Sequence, residues 1–262
     1  MNIKVILKKI ISSVLFLSIL FCSIQYVSNI LEDKSSNTIY DTYLEICDDI
    51  DIEFLGASRV IWQIYPLNLW DDYGITSYNT AVSGSRPQCW YWILRETLKY
   101  HKPKLLVIDV SLLSRNEQAN SEGMINQVFD AFPLDLTKIQ GAFDFKAENV
   151  QDHDYDPLNI VFNIQKYHDR WTSLTESDFK TIENYQFNTV RPQDIGTIVF
   201  DFETIDKDIV TDQYTISMYY LEECVKLAQK NNVEVLLIQT PNPHLEESQK
   251  VYNWCYILAE EY

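Results

Sequence analysis

The sequence predicts an α/β protein with a doubly wound parallel sheet, carried behind an N-terminal membrane-spanning helix. Two observations predict the sheet: short apolar runs recur along the body, and amphipathic stretches with helical spacing separate them. A third observation predicts the membrane helix, because three lysines near the N-terminus are followed by a long apolar run without charge.

The apolar run extends from Ile10 to Leu31 and contains 22 uncharged residues. At a rise of ~1.5 Å per residue it is long enough to cross a hydrocarbon core of roughly 30 Å. Its flanks are Lys4, Lys8 and Lys9 before it and Glu32 and Asp33 after it. By the positive-inside rule, residues 1–31 form a cytoplasmic tip and an anchor, and the body lies outside.

A cleaved signal peptide is the alternative for this segment. The run is longer than a usual signal core of about 7 to 15 residues, and no small-x-small cleavage site ends it. A lipoprotein signal at Cys22 is disfavoured because Phe21 stands where a small residue is expected. The sequence therefore favours an uncleaved single-pass anchor, followed by a polar linker over residues 32–50.

The body, residues 51–262, contains the strand and helix signals of the sheet. Strands are predicted at Ile52–Leu55, Leu105–Asp109 and Val233–Gln239, with a short additional one near Tyr78. Helices are predicted around Trp90, from Ile216 to Ala228 and from Val251 to Tyr262, since their apolar residues share one face. Residues 111–212 are too long for a simple connection and are expected to form a cap insertion over the strand ends.

Charge and cysteine usage exclude several classes of function. With 21 Lys and Arg against 38 Asp and Glu, the net charge is −17, which argues against nucleic acid, because phosphate binding needs clustered cations. The five cysteines have no metal-ligand spacing, and Cys224 is interpreted as a buried apolar residue. The spacing Asp152-x-Asp154-x-Asp156 resembles a calcium loop, but Pro157 replaces the turn glycine, so no metal site is predicted.

The strongest local signal for chemistry is Gly56-Ala57-Ser58-Arg59, directly after the first strand. A tight strand-to-helix turn places Ser58 at a helix N-terminus, where backbone N–H groups stabilise an oxyanion. The alternative is that Ser58 is only an N-cap, a position that serine favours. Arg59 is either a clamp for an anion or a partner for a local carboxylate.

A second block, Tyr78-Asn79-Thr80-Ala81-Val82-Ser83-Gly84-Ser85, follows the next strand, so two of six glycines stand at neighbouring strand ends. The order of these two blocks resembles the SGNH/GDSL hydrolase superfamily, in particular its membrane-anchored bacterial branch of cell-envelope O-acyltransferases and esterases. The segments PKLLVID from Pro103, YHDRW from Tyr167 and QTP from Gln239 add to the resemblance.

The resemblance implies a flavodoxin-like three-layer fold in which Ser58 is the catalytic nucleophile. Gly84 matches the oxyanion-hole glycine, and Ala57 replaces the usual Asp or Ser. By the same resemblance, His168, Arg170 and Trp171 of the YHDRW segment are expected to contact the substrate. Arg59 is also an expected substrate contact. No cofactor is implied.

Two family features are missing. The Gly-x-Asn-Asp block that supplies an oxyanion asparagine is absent after Asp109, and Asn116 is the nearest candidate. None of the four histidines belongs to the Asp-x-x-His block that carries the catalytic base. The chain is then either a non-catalytic relative or a C-terminally truncated one, and truncation is favoured because a crossover helix ends the sequence.

The expected function is therefore that of an extracytoplasmic serine esterase or O-acyltransferase acting on acyl esters of cell-envelope polysaccharide. Its expected partners are envelope carbohydrate or an acyl donor, the membrane through residues 10–31, and a membrane-bound O-acyltransferase. The alternative is a catalytically inactive binding or scaffolding subunit of a polysaccharide-modification system.

The charge asymmetry around the apolar run makes a prediction about topology. Protease treatment of spheroplasts is expected to remove residues 33–262 and to leave a short membrane stub, detected with a tag at each end of the chain. Release of an intact body with a new N-terminus near Ser28 would show signal cleavage instead.

Overall fold

A parallel four-stranded sheet forms the centre of the body. The computed structural model describes residues 3–32, 43, 50–113, 120–146, 150–151, 155–179, 205–241 and 246–262. The strands are β1 (Ile52–Leu55), β2 (Ser77–Asn79), β3 (Leu105–Asp109) and β4 (Glu234–Ile238), in the order β2-β1-β3-β4. All three pairings are parallel, with Phe54 of β1 opposite Asn79 on one side and Val107 on the other.

Helices surround this sheet and precede it. They are α1 (Ile3–Leu31), α2 (Ser58–Gln63), α3 (Pro66–Tyr73), α4 (Pro87–Thr97), α5 (Glu122–Phe129), α6 (Leu136–Asp144), α7 (Pro157–Val161), α8 (Asn163–Tyr167), α9 (Ile216–Lys230) and α10 (Glu246–Glu261). Two 3₁₀ turns, His168–Thr172 and Glu176–Phe179, follow α8. The α/β class and the parallel sheet are confirmed.

Each face of the sheet has its own apolar core. Phe54 and Val107 pack on one face with Val60 and Ile61 of α2. On the other face Leu106 and Ile108 pack against α4, α9 and α10. Because alternate strand residues point to opposite faces, the continuous apolar run of β3 supplies both cores at once, as its composition predicts.

Helices α5 and α6 pack on the outside of α4. A Cβ at Gly141 of α6 would lie 2.2 Å from Phe129 Cε1 of α5 and 3.1 Å from Trp92 Cδ2 of α4. The three helices therefore approach each other closely at this glycine. At the end of α6, Asp144 Oδ2 accepts hydrogen bonds from Trp92 Nε1 (2.9 Å), Gln88 Nε2 (3.1 Å) and the Tyr220 hydroxyl (2.5 Å). This carboxylate joins α6 to α4 and α9.

Helix α1 is the one helix of the described residues that is long and apolar enough to cross a membrane. Its most apolar window is not buried against the body, which distinguishes it from a core helix. Its orientation in a membrane stays a prediction. Of the predicted linker, residues 33–42 and 44–49 lie outside the described residues.

Strand β4 lies at the edge of the sheet. Within the described residues it pairs only with β3, and Leu236 on it is 48% exposed. A groove of about 660 Å³ runs along its free side and is lined by α9 and α10, including Tyr252 and Leu258. The described cysteines form no disulfide, and Cys224 is fully buried, which confirms its interpretation as an apolar residue.

A carboxyl group is buried in the middle of β1. Glu53 is fully buried and accepts hydrogen bonds from Thr80 Oγ1 (2.9 Å), Thr97 Oγ1 (3.2 Å) and the Tyr43 hydroxyl (3.3 Å). Burial raises the pKa of Glu53 to about 7, although the three hydroxyl donors favour its charged form. The group therefore links β1 to β2, to α4 and to the segment that precedes the sheet.

Replacing Glu53 is expected to change how stability depends on pH. The folded pKa is raised above the unfolded value, so the folded state binds the proton more tightly, and stability falls as pH rises from about 4.5 towards 7. The loss amounts to roughly 3 kcal/mol for a shift of this size. Glu53→Gln should lose this dependence and unfold at a higher temperature than the wild type at about pH 8.

Thermal unfolding of the full chain in detergent, at about pH 5 and about pH 8, measures the effect. The matched control is Glu234→Gln, since Glu234 is exposed on β4. An equal pH dependence in wild type and Glu53→Gln would contradict the prediction.

Candidate active site

The strand order reverses between β1 and β3, and the carboxyl ends of these two strands are called the crevice below. The sheet order places β2 on one side of β1, and β3 and β4 on the other, so the chain leaves β1 and β3 in opposite directions. Such a switch point is where open α/β sheets bind ligands. The segment Gly56–Ser58 follows β1 at this point.

Gly56 allows the turn from β1 into α2. A Cβ on this residue would lie 2.5 Å from Val60 Cγ2 and 3.4 Å from the Cβ of Asp109, so any larger residue would push α2 away from the sheet. Its carbonyl oxygen accepts hydrogen bonds from the Val82 amide (3.3 Å) and from Ser85 Oγ (3.1 Å). These two bonds bring together the two blocks that the sequence singled out.

Ser58 is the first residue of α2 and is half-buried. The N-cap is Ala57, whose carbonyl accepts from the Val60 amide at 3.0 Å, and no side chain caps this helix. The alternative interpretation of Ser58 as an N-cap is therefore wrong. Neither the hydroxyl nor the amide of Ser58 hydrogen-bonds to another described residue, so both groups are available to a ligand.

Gly84 lies in the neighbouring turn with φ +73°, a left-handed conformation that favours glycine. A Cβ there would also lie 2.6 Å from Met124 Cε. The next residue, Ser85, accepts from Trp90 Nε1 at 2.8 Å while its own hydroxyl donates to Gly56. The turn that carries Gly84 is thus fixed against the turn that carries Ser58.

Asp109 joins the ends of β3 and β4 beneath the crevice. Its Oδ1 accepts from the amides of Ser111 (3.1 Å) and Thr240 (3.0 Å), and its Oδ2 accepts from their hydroxyls (2.7 and 3.1 Å). All three residues are buried. Because all four bonds are made inside the protein, this carboxylate serves as a structural link.

Arg59 brings the loop after β4 to α2. Its Nη1 donates to the carbonyl oxygen of Pro241 at 3.1 Å. The sequence left Arg59 between an anion clamp and a partner for a carboxylate, and the contact seen is with a backbone carbonyl. Ser58, Arg59 and Gly84 are therefore gathered at one edge of the sheet.

The YHDRW residues lie elsewhere. Arg170 donates to the carbonyl oxygen of Leu31 at 2.6 Å, at the end of α1, and pairs with Asp178 at 2.6 Å. His168 contacts Gln165 and Asp169, and Trp171 is 70% exposed. The structure does not bring this segment to the Ser58 crevice.

The end of α1 meets the body at the amino edge of the sheet. Glu32, at the end of α1, is close enough to Lys138 of α6 to oppose the lowering of the Lys138 pKa that burial causes. Asp135, the N-cap of α6, pairs with Lys99, which lies between α4 and the start of β3. The crevice and the end of α1 are thus at opposite edges of the strands.

The expected base is not found beside Ser58 among the described histidines. His101 lies within 2.7 Å of the Ile50 carbonyl oxygen, before β1, and His168 lies near α1. His153, His244, Asn116 and the acidic pair Asp152 and Asp154 lie outside the described residues. Within the residues that are described, no cluster of metal ligands occurs.

Trp62 is a candidate site residue that sequence reasoning missed. It is 59% exposed and lies four residues after Ser58 in α2. Residues four apart share a helix face, and helical side chains lean towards the N-terminus, so Trp62 stands over the Ser58 turn. The i, i+4 spacing from a candidate nucleophile was the signal available in the sequence.

Comparisons of the chain with family models, curated proteins and solved structures found no match. The resemblance carried by Gly56, Ser58 and Gly84 therefore stays a prediction.

Proposed function

We propose that the chain is a membrane-anchored serine esterase or O-acyltransferase of the bacterial envelope, acting on acyl esters of cell-envelope polysaccharide. The observation that carries the proposal is the hydrogen bonding and position of Ser58. Its hydroxyl and amide make no bond to a described residue, at the start of a helix in a switch-point crevice, beside the left-handed Gly84 turn.

The proposed chemistry is acyl transfer through Ser58. Its Oγ attacks the carbonyl carbon of the ester while a general base accepts the hydroxyl proton. The amides of Ser58 and Gly84 donate to the oxyanion, and the sugar oxygen leaves with a proton returned by the base. Water or a second sugar hydroxyl then takes the acyl group from Ser58, giving hydrolysis or transfer. These steps need no cofactor.

The position of the crevice supports a polymeric substrate outside the bilayer. Helix α1 meets the body at the amino edge, and Ser58 lies at the carboxyl edge, beyond strands of four or five residues or ~15 Å. A site that faces away from the membrane suits an ester on an envelope polymer better than one on a lipid tail. Trp62 offers an exposed apolar ring beside Ser58 for the C–H face of a sugar.

A non-catalytic binding subunit is the second candidate. It is favoured by the absence of a histidine contact to the crevice among the described residues, because a serine without a base is a weak nucleophile. Such a protein would use the same crevice and Trp62 to hold an acylated sugar.

Replacing Ser58 separates the two candidates. In membranes of the native host, a fluorophosphonate probe is expected to label the wild-type protein, and Ser58→Ala should reduce labelling by about 10³-fold or more, since removing a nucleophile abolishes the reaction. Because Ser58 makes no capping bond, the free energy of unfolding should change by less than about 0.5 kcal/mol.

Ser83→Ala is the matched control, since Ser83 is exposed in the neighbouring turn. His244→Gln shows whether His244 acts as the base, and His168→Gln, at a histidine away from the crevice, is its control. Equal labelling of wild type and Ser58→Ala would exclude Ser58 as the nucleophile, and an unlabelled wild type would favour the binding subunit.

Trp62 is expected to govern recognition of the sugar. Trp62→Ala should raise KM for an acetylated envelope oligosaccharide roughly 3- to 10-fold, equivalent to ~0.5–1.5 kcal/mol, because one stacking surface is lost. Hydrolysis of a small activated acetyl ester should not change. Trp62→Phe should restore KM, and Trp70→Ala, at a Trp that is 55% exposed on α3, is the control. An equal effect on both substrates would count against a sugar contact.

A further inference from the structure

We infer that the segment after α8, with Trp171 and Phe179, lies in the headgroup region of the bilayer that α1 crosses and holds the body against the membrane surface. This surface is defined by Trp171 and Phe179 and is called the aromatic pair. The inference rests on the proposed anchor and is independent of the proposed chemistry.

The exposed part of α1 matches the thickness of the hydrocarbon. From Ile10 to Val27 the helix has 18 residues, which rise ~27 Å, close to a hydrocarbon core of roughly 30 Å. The next residues belong to the body, because Ser28, Leu31 and Glu32 are all less than 9% exposed. The body therefore begins where the hydrocarbon ends.

Arg170 fixes the segment to the end of α1. Its guanidinium donates to the carbonyl oxygens of Leu31 and Glu32, which satisfies acceptors that a helix C-terminus leaves open, and a cation there is also favoured by the helix dipole. Asp178 holds the other side of the guanidinium, and Thr175 donates to Asp178 through its amide at 2.8 Å. This network holds Arg170 and Asp178 at the level of the C-terminal end of α1.

The aromatic pair consists of the direct neighbours of these two fixed residues. Trp171 follows Arg170 and is 70% exposed, and Phe179 follows Asp178 and is 62% exposed. Large apolar rings in water are unfavourable, whereas Trp is enriched at the membrane interface, where its ring meets acyl chains and its N–H meets water. The bilayer surface lies at this level of α1, and it covers the rings of Trp171 and Phe179.

Charge argues for apolar contact with lipid and against attraction to acidic headgroups. Arg170, the one Lys or Arg of residues 168–179, is already paired with Asp178, and Lys166 of the preceding α8 pairs with Asp130 at 2.7 Å. Asp169 is exposed beside Trp171. Docking should therefore occur on zwitterionic phosphatidylcholine and should not depend on salt.

Quenching of tryptophan fluorescence by brominated lipid tests this inference on the full chain. The protein is reconstituted into vesicles of phosphatidylcholine brominated near the headgroup. We expect the lipid-quenched part of the emission to fall about twofold or more in Trp171→Phe, because the ring at the interface is lost. Trp62→Phe and Trp70→Phe remove rings of similar exposure on α2 and α3 and should retain the quenching.

A reporter inside the span separates the anchor from the docking. Leu17→Trp in the Trp171→Phe background should be quenched by lipid brominated deep in the acyl chains if α1 crosses the bilayer. A quenched Leu17→Trp together with unchanged quenching in Trp171→Phe would overturn docking and leave the anchor in place; the aromatic pair would then face another protein. An unquenched Leu17→Trp would overturn both, while Ser58 labelling would still report on the chemistry.

Discussion

The close approach of β1 and β3 at Gly56 is the constraint on which the candidate site depends. The space for a Cβ there is occupied by Val60 on one side and bounded by Asp109 on the other. The glycine lets α2 start directly against the sheet. The carbonyl oxygen of Gly56 accepts hydrogen bonds from the Val82 amide and the Ser85 hydroxyl. One residue without a side chain thus fixes the turn of Ser58, the turn of Gly84 and the spacing of the two central strands.

The elements with strong local signals were predictable from the sequence, and the contacts between distant segments were not. The runs Ile52–Leu55 and Leu105–Asp109 are apolar on both faces because helices cover both sides of the sheet, so composition alone located these strands. Ser58 and Gly84 were located by the glycines at the strand ends. The sequence predicts Arg170 as a substrate contact, and it carries no local signal for the contact with Leu31, which lies 139 residues away.

The amino ends and the carboxyl ends of the strands make different sets of contacts. At the amino edge, Glu32, Lys138 and the Arg170 network join the body to α1, and Glu53 ties β1 to Tyr43. At the carboxyl edge, Asp109 and the Gly56 carbonyl hold four strand ends together while Ser58 remains open. The contacts to α1 and the candidate site therefore use separate residues.

The contacts of the carboxyl edge also limit where a base for Ser58 can come from. Asp109 lies beside the Gly56 turn, and Ser111 and Thr240 donate to both of its oxygens, which leaves it no spare acceptor for a histidine. The loop after β4 touches α2 through Arg59 and Pro241, and His244 follows Pro241 in the sequence. For the proposed chemistry, the Arg59–Pro241 contact therefore makes His244 the first histidine to test as the base of Ser58.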